Sequence, residues 1–192
     1  MHTNIVGYIA YTLALLVELI VAFSLCIYAI SHVFSSLMGS PYVPTKKKEI
    51  EEMLKTAKLK KGQKFLELGS GDGRVVRTAV KMFGVVGQGI DINPTLVWIA
   101  RFKARLQKLK NITFKTQNIF STSYKDADVI YLFLMPELIA KMRPKMETEI
   151  KPTTIIISHG FKVEGWTPYQ TIVHKPFPTY YYQPRSSLTK KA

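Results

Sequence analysis

The sequence predicts an α/β fold, a mostly parallel sheet with helices on both faces, preceded by one N-terminal transmembrane helix. Three observations lead to this prediction: an apolar N-terminal segment, an alternation of strand-like and helix-like segments after it, and a glycine-rich turn after the first strand. Strand–helix alternation favours a parallel sheet because right-handed crossovers place the helices over its faces. We expect an anchor over residues 1–38, a linker with one helix over residues 39–62, and one α/β domain over residues 63–192.

The N-terminal segment is almost free of charge. Glu18 is the only acidic or basic residue from Met1 to Met38, and residues 5–31 are mainly apolar. About 20 such residues span a bilayer as a helix, whereas a secretory signal peptide would carry Lys or Arg before a shorter apolar core. Lys46, Lys47 and Lys48 follow the span, and positive residues stay on the cytoplasmic side. We expect a single-pass membrane protein whose C-terminal domain faces the cytoplasm, or the matrix of a mitochondrion.

The rest of the chain is strongly basic. All 27 Lys and Arg lie after Met38, with 12 of the 13 Asp and Glu, which gives this part a formal charge of +15 (27 − 12). Such a surface favours anionic lipid headgroups, acidic protein or nucleic acid. Cys26 is the single cysteine, so one chain has no disulfide framework or cysteine-rich metal site, which suits a reducing compartment.

The elements after residue 39 follow from local patterns. Thr45 is the expected N-cap of a helix whose apolar residues, Ile50 to Ala57, recur at helical spacing. Two segments near the C-terminus, residues 170–174 and 179–183, are expected to form an antiparallel pair. Between them and the first helix, strands are predicted at 65–68, 85–92, 112–115, 127–134 and 153–158, and helices at 73–83, 94–109 and 136–150.

The most informative stretch is the glycine-rich turn, Phe65 to Arg74, which reads FLELGSGDGR. Glycines allow a sharp turn and the close approach of a ligand. A phosphate-binding P-loop would need Lys after the last glycine, and the dinucleotide fingerprint would need a glycine at position 74; Arg74 excludes both. The pattern is acidic-x-G-x-G-x-G, which matches the first motif of class I S-adenosylmethionine-dependent methyltransferases. Their cofactor carries an ammonium and a sulfonium but no phosphate, so the Glu67 carboxylate would attract it.

A second acidic residue supports a Rossmann-like cofactor site. Asp91 ends the second predicted strand, about 20 residues after the glycine loop, where such a residue hydrogen-bonds ribose hydroxyls. By resemblance, Asn118 after the third strand is placed against the adenine amino group; an ordinary turn asparagine is the alternative. The predicted cofactor-binding residues are Tyr42, Thr45, Glu67, Gly69, Ser70, Gly71, Asp72, Gly73, Asp91, Ile92, Asn118 and Ile119.

The chain resembles the membrane-anchored protein-lysine methyltransferases of mitochondria and their prokaryotic relatives, which modify the ATP synthase c subunit and the adenine nucleotide translocase. The resemblance rests on the apolar helix followed by PYVPT, on LELGSGDGR, and on YLFLMPE with HGF and GWTP further on. A seven-strand histone lysine methyltransferase closes a tyrosine-containing loop over its cofactor, which implies similar roles for Tyr42 and Thr45. That enzyme has Asn-Asn-Phe where this chain has Leu132-Phe133-Leu134.

Methyl transfer from a sulfonium is an in-line displacement that requires alignment, exclusion of water and a neutral nucleophile. We therefore expect no metal and no nucleophile–base pair. Candidates for the acceptor side of the site are Tyr42, Met135, Pro136 and His159, although an ordinary loop histidine is an alternative for His159.

Three functions are compatible with these patterns. The first is methylation of lysine side chains in membrane-associated proteins, because an anchor raises the effective concentration of such substrates. The second is methylation of a lipid or small molecule. The third is a non-catalytic, membrane-tethered module that binds the cofactor. The expected partners are a membrane-protein substrate and the bilayer, through residues 5–31; no nucleic-acid motif is present, so nucleic acid is not expected.

Overall fold

A computed structural model describes residues 2–37 and 43–183. Helix α1 (His2–Leu37) contains a 27-residue stretch, Asn4–Ile30, that is long and apolar enough to cross a membrane. At 1.5 Å per residue this stretch is roughly 40 Å long, which exceeds the ~30 Å of a bilayer's hydrocarbon core. None of its apolar surface is buried within the protein, as expected for a helix whose hydrophobic side chains are not used in a core.

The domain that follows alternates strands and helices, as predicted. Its elements are α2 (Lys47–Thr56), β1 (Lys64–Leu68), α3 (Arg74–Phe83), β2 (Val86–Asp91), α4 (Pro94–Leu106), β3 (Ile112–Thr116), a 3₁₀ helix (Ile119–Ser121), β4 (Val129–Leu132), α5 (Pro136–Glu149), β5 (Ile155–His159), β6 (Gln170–Ile172) and β7 (Thr179–Tyr182).

Seven strands form one sheet in the order β3-β2-β1-β4-β5-β7-β6. The first five strands are parallel, while β7 is antiparallel to both β5 and β6. This confirms the predicted mostly parallel sheet and its terminal antiparallel pair. The strand order reverses direction between β1 and β4, and ligands of such sheets bind outside the carboxyl ends of the strands at that point.

Two apolar layers cover the sheet. The layer on one face contains the buried sides of α2, α3 and α4, including Ile50, Val76 and Ala100. The layer on the other face contains the buried side of α5, including Ile139 and Met142. Helices therefore lie on both faces, as the alternation predicted, and α2 is part of the same core as the strands.

Some predicted details are wrong. Thr45 is not the cap of α2: the helix begins after Lys46, which makes no side-chain capping hydrogen bond. Thr45 is instead 7% exposed and lies at the cofactor-side cavity described below. Helix α4 ends at Leu106 rather than at residue 109, and β4 covers only Val129–Leu132 of the apolar run, because apolar character continues past the residues that make ladder hydrogen bonds.

Candidate active site

The glycine loop turns the chain from β1 into α3. Gly69, Gly71 and Gly73 all have positive φ angles, of 72°, 52° and 72°, a conformation that costs a residue with a Cβ on the order of 1 kcal/mol or more. The N–H groups of Gly69 and Ser70 donate to the carbonyl of Ile90, at 2.9 and 2.8 Å. The loop is thus held against the end of β2, with its remaining amides turned towards a cavity.

Asp91 joins the glycine loop to the end of β2. Its Oδ2 accepts a 2.7 Å hydrogen bond from the N–H of Gly71, and its Oδ1 accepts one of 2.8 Å from the N–H of Asn93. Burial raises the pKa of Asp91, although the hydrogen bonds from Asn93 and Gly71 oppose this rise. The carboxylate is therefore fixed in place by backbone donors, and each oxygen keeps a lone pair for a ligand hydroxyl.

A cavity of about 300 Å³ opens at the carboxyl ends of β1, β2 and β4, a volume suited to a small-molecule ligand. Ten of the predicted cofactor-binding residues line it: Thr45, Glu67, Gly69, Ser70, Gly71, Asp72, Asp91, Ile92, Asn118 and Ile119. The structure thus brings together segments that are far apart in the sequence.

Two predicted residues do not appear in this lining. Tyr42 lies outside the described residues. Gly73 is buried beneath the loop, where an added Cβ would meet the Phe114 ring at 2.3 Å and the Ala100 side chain at 3.1 Å. Position 73 therefore requires glycine for helix–sheet packing as well as for its positive φ.

Asp72 is surrounded by cations. Its carboxylate accepts hydrogen bonds from Lys103 Nζ at 2.7 Å and from Arg74 Nε at 3.1 Å, and Arg77 lies 3.7 Å away. Burial pushes the pKa of Asp72 up, but the hydrogen bonds from Arg74 and Lys103 outweigh burial and leave that pKa below its ordinary value. The side chain therefore stays ionised and organises the first turn of α3.

Arg74 is a functional residue that sequence reasoning used only to exclude other loops. While its Nε contacts Asp72, its Nη1 donates a 3.0 Å hydrogen bond to the carbonyl of Thr45. Val43, Pro44 and Thr45 line the cavity from the side opposite the glycine loop. Arg74 therefore ties this segment, which we call the 43–45 strap, to the glycine loop.

The floor of the cavity is polar and incompletely paired. Glu67 accepts a 2.9 Å hydrogen bond from the N–H of Val76, and burial raises its pKa well above the ordinary value, with Asp72 and Asp91 adding to the rise. Ser70 Oγ and the hydroxyl of Tyr131 are buried without a well-formed hydrogen bond, although Tyr131 lies near Thr45. Buried polar atoms that lack partners in a cavity wall are suited to bind a polar ligand.

The remaining wall is apolar, and no sequence motif pointed to it. Phe120, Phe133, Leu134 and Leu138 line this side. Asn118, which begins the 3₁₀ helix, uses its Oδ1 to accept from the N–H of Phe120 at 2.9 Å. The apolar residues come from three separate segments, and only the tertiary fold brings them to one wall.

Three candidates for the acceptor side lie behind this wall rather than in it. Met135 and Pro136 begin helix α5 and do not line the cavity. His159 is 1% exposed and its Nδ1 lies 2.9 Å from Thr179 Oγ1. Its ring packs edge-on against Phe133, with centroids 4.6 Å apart. Burial lowers the pKa of His159 to about 4, with His174 contributing, so the imidazole is neutral at physiological pH.

The family model of the ANTKMT methyltransferase domain matches residues 67–170, which include the glycine loop, Asp91 and the apolar wall. The chain belongs to this family. It is an S-adenosylmethionine-dependent methyltransferase, as the motif predicted. The methyltransferase is 35% identical over 137 residues to the protein-lysine N-methyltransferase of Saccharolobus islandicus (strain REY15A), covering 69% of this chain and 83% of the relative.

Further comparisons agree on fold and cofactor. The human lysine N-methyltransferase of the ATP synthase c subunit is 29% identical to the methyltransferase over 67% of this chain, which spans about half, 54%, of that relative. An RNA methyltransferase from Salinibacter ruber, crystallised with S-adenosyl-L-homocysteine, superposes with a TM-score of 0.74 at 31% identity, covering 77% of this chain and 97% of the other. A Geobacter sulfurreducens methyltransferase, with a TM-score of 0.58 at 20% identity, shares the fold.

Proposed function

We propose that this methyltransferase transfers a methyl group from S-adenosylmethionine to lysine side chains of a membrane-associated protein. The observation that carries the proposal is the 35% identity to a protein-lysine N-methyltransferase, over 83% of that relative's length. Relatives that act on the ATP synthase c subunit and on the adenine nucleotide translocase support it, at 29% and 27% identity.

The cavity residues suit this cofactor. Asp91 would accept hydrogen bonds from the ribose hydroxyls, and the amides of the glycine loop with Ser70 Oγ would hold the amino-acid end. The ammonium group of the cofactor would stabilise the ionised form of Glu67, whose pKa is raised by burial in its absence. When bound, S-adenosylmethionine supplies an electrophilic methyl group on its sulfonium.

The apolar wall would serve the acceptor. A lysine is nucleophilic only as the neutral amine, and desolvation against Phe120, Phe133 and Leu138 disfavours the ammonium form. The same side chains exclude water and hold the amine in line with the methyl group. The neutral ring of His159 supports Phe133 from behind, which makes His159 a positioning residue in this proposal.

Helix α1 would keep the domain at the membrane. Its 27-residue apolar stretch is long enough to span a bilayer, and Lys46, Lys47 and Lys48 just after it favour a cytoplasmic or matrix-facing domain. Anchoring raises the local concentration of substrates in the same membrane. Glu18, in mid-span, faces no buried environment within the chain and is a candidate contact for an embedded partner.

RNA is the second candidate acceptor. The solved structure of 31% identity is an RNA methyltransferase, and the formal charge of +14 is compatible with a phosphate backbone. Lipids and small molecules remain further alternatives, as does cofactor binding without transfer, because an apolar cavity wall does not by itself select lysine.

One experiment separates these acceptors. Membranes that contain the full chain are incubated with S-adenosylmethionine labelled on its methyl group and then divided into protein, lipid and RNA fractions. We expect label in protein, with mass spectrometry assigning it to methylated lysine. Label confined to RNA or to the lipid extract would replace the proposed acceptor, and cofactor binding without any transfer would favour the non-catalytic module.

The control is a pair of variants. Asp91→Ala should abolish labelling if the cavity is the active site. Asp126→Ala removes an exposed carboxylate, 85% accessible in its side chain, and should leave the labelling unchanged.

A further inference from the structure

Helix α4 carries an apolar stripe on its solvent-facing side. Trp98, Phe102 and Leu106 recur every four residues and are 65%, 50% and 66% exposed. The rings of Trp98 and Phe102 stack with centroids 5.8 Å apart and planes within 6°. The opposite side of the same helix, with Val97, Ala100 and Ala104, is buried in the core. The stripe is therefore a second apolar face that the domain does not itself cover.

The chain around the stripe is purely cationic. Residues 92–125 contain seven Lys and Arg and no Asp or Glu. Lys103 pairs with Asp72, and Arg101 donates to the carbonyl of Phe114. Among the residues that the structure describes, the other cations on α4 and β3 and between them form no ion pair: Arg105, Lys108, Lys110 and Lys115.

We propose that α4 docks on the surface of an anionic bilayer, with the Trp98–Phe102–Leu106 stripe at the headgroup boundary and the neighbouring cations on the phosphates. Exposed aromatic and aliphatic side chains beside Lys and Arg on one helix are the pattern of an interfacial helix. Trp is enriched at this depth, and each nearby cation adds attraction to anionic lipid. Neutral bilayers lack the second contribution.

The connection to α1 keeps this face within reach of the membrane, so the inference rests on the membrane placement proposed above. Nine residues, 38–46, separate α1 from α2, and a chain of that length spans at most about 30 Å. A domain of this size is itself only about 35 Å across. The domain therefore cannot leave the bilayer surface, and α4 is the face with matching chemistry.

Docking of α4 would also orient the active site. Leu96, in the first turn of α4, lines the cofactor cavity, and Trp98 follows two residues later. Because α4 is rigidly packed in the core, holding its outer face on the lipid fixes the direction of the cavity relative to the membrane. An acceptor side chain near the headgroups would then meet the site without the domain having to search for it.

Fluorescence of Trp98 in the full chain tests the proposal. The chain has two tryptophans, and Trp166→Phe leaves Trp98 as the only indole. The variant is reconstituted in vesicles of neutral phosphatidylcholine or of phosphatidylcholine with phosphatidylglycerol. In the anionic vesicles we expect quenching by acrylamide to fall about threefold and quenching by brominated lipid to appear, because the indole enters the interface. Circular dichroism and cofactor binding establish that the variant is folded.

Charge variants sharpen the test. Reversal of two unpaired cations, Arg105→Glu with Lys108→Glu, should restore acrylamide quenching in anionic vesicles. The matched control, Val173→Glu, alters another exposed apolar residue, 81% accessible, and should leave the protection intact. Equal acrylamide access in neutral and anionic vesicles would overturn the docking, and protection in lipid-free detergent would assign the stripe to a second copy instead.

Flotation of the same samples after a carbonate wash separates this inference from the proposed function. A chain that floats while Trp98 stays exposed contradicts only the docking of α4. A chain that is washed off the vesicles contradicts the membrane anchor, and the docking with it.

Discussion

The N–H of Gly71 donates a 2.7 Å hydrogen bond to Oδ2 of Asp91, so the turn after β1 and the end of β2 form one rigid unit. The two motifs that the sequence separates by 20 residues are thus physically the same structure. Any change at Asp91 is expected to alter the glycine loop as well as direct contacts with the cofactor.

Asp91→Ala should weaken binding of S-adenosylmethionine at least tenfold, about 1.4 kcal/mol. The variant removes the proposed ribose acceptor and leaves the buried N–H groups of Gly71 and Asn93 without partners. Each unsatisfied donor costs about 1–3 kcal/mol, so thermal stability should fall too. Isothermal titration calorimetry checks the affinity, and unchanged affinity would remove Asp91 from the site.

Arg74→Ala should weaken cofactor binding about fivefold, on the order of 1 kcal/mol, because it frees the 43–45 strap. Lys103→Ala is the matched control: it also removes a hydrogen bond to Asp72 but has none to Thr45. Titration of both variants compares them directly. If Lys103→Ala lost as much affinity as Arg74→Ala, the effect would belong to Asp72 and not to the strap.

Gly73→Ala should destabilise the fold by about 2–4 kcal/mol, because a Cβ adds overpacking against Phe114 to the cost of the positive φ. Gly62→Ala is the reference, since Gly62 has a φ of 83° but open space around it. Chemical denaturation should give the Gly73 variant the larger loss by at least about 1 kcal/mol. Equal losses would mean that packing at position 73 is relaxed.

Gly71→Val acts at a different point of the same loop. Gly71 lines the cavity with a φ of 52°, so a branched side chain should obstruct the cofactor and misplace the N–H that contacts Asp91. We expect loss of detectable binding in calorimetry. A variant with normal affinity would contradict the assignment of the loop.

His159 should make the fold sensitive to acid. Its pKa is about 4 in the folded protein because of burial, against about 6.5 in an unfolded chain. Below pH 6.5 the unfolded chain binds the proton more strongly, so this contribution to stability is complete above pH 6.5 and is lost as the pH falls towards 4. The loss at pH 5 should be about 2 kcal/mol relative to pH 7.5.

A double difference isolates this contribution from those of the carboxylates. The free energy of unfolding is measured at pH 7.5 and pH 5 for the wild type and for His159→Gln. The drop should be smaller in the variant by about 2 kcal/mol. Equal drops would mean that His159 takes up its proton without unfolding.

Much of the fold could be predicted because the relevant signals are local. A glycine turn, a helix-starting proline such as Pro94 and an apolar strand run all act within a few residues, and each segment formed close to its predicted place. The membrane-length helix and the cofactor motif are equally local. Thr45 was misassigned because its residue type suits a cap, whereas its position at the cavity depends on Arg74, which is 29 residues away.

The sequence by itself determined the alternation of elements, the family motif and the chemistry of its ligand, since glycine, carboxylate and apolar character are properties of single residues and short spacings. Only the tertiary structure decided which of these residues touch. It packed Gly73 against Phe114, enclosed Asp72 among three cations, and buried His159 behind Phe133. It also left Trp98 and Phe102 in solvent, because helical spacing gives α4 two apolar faces and the sheet can cover only one.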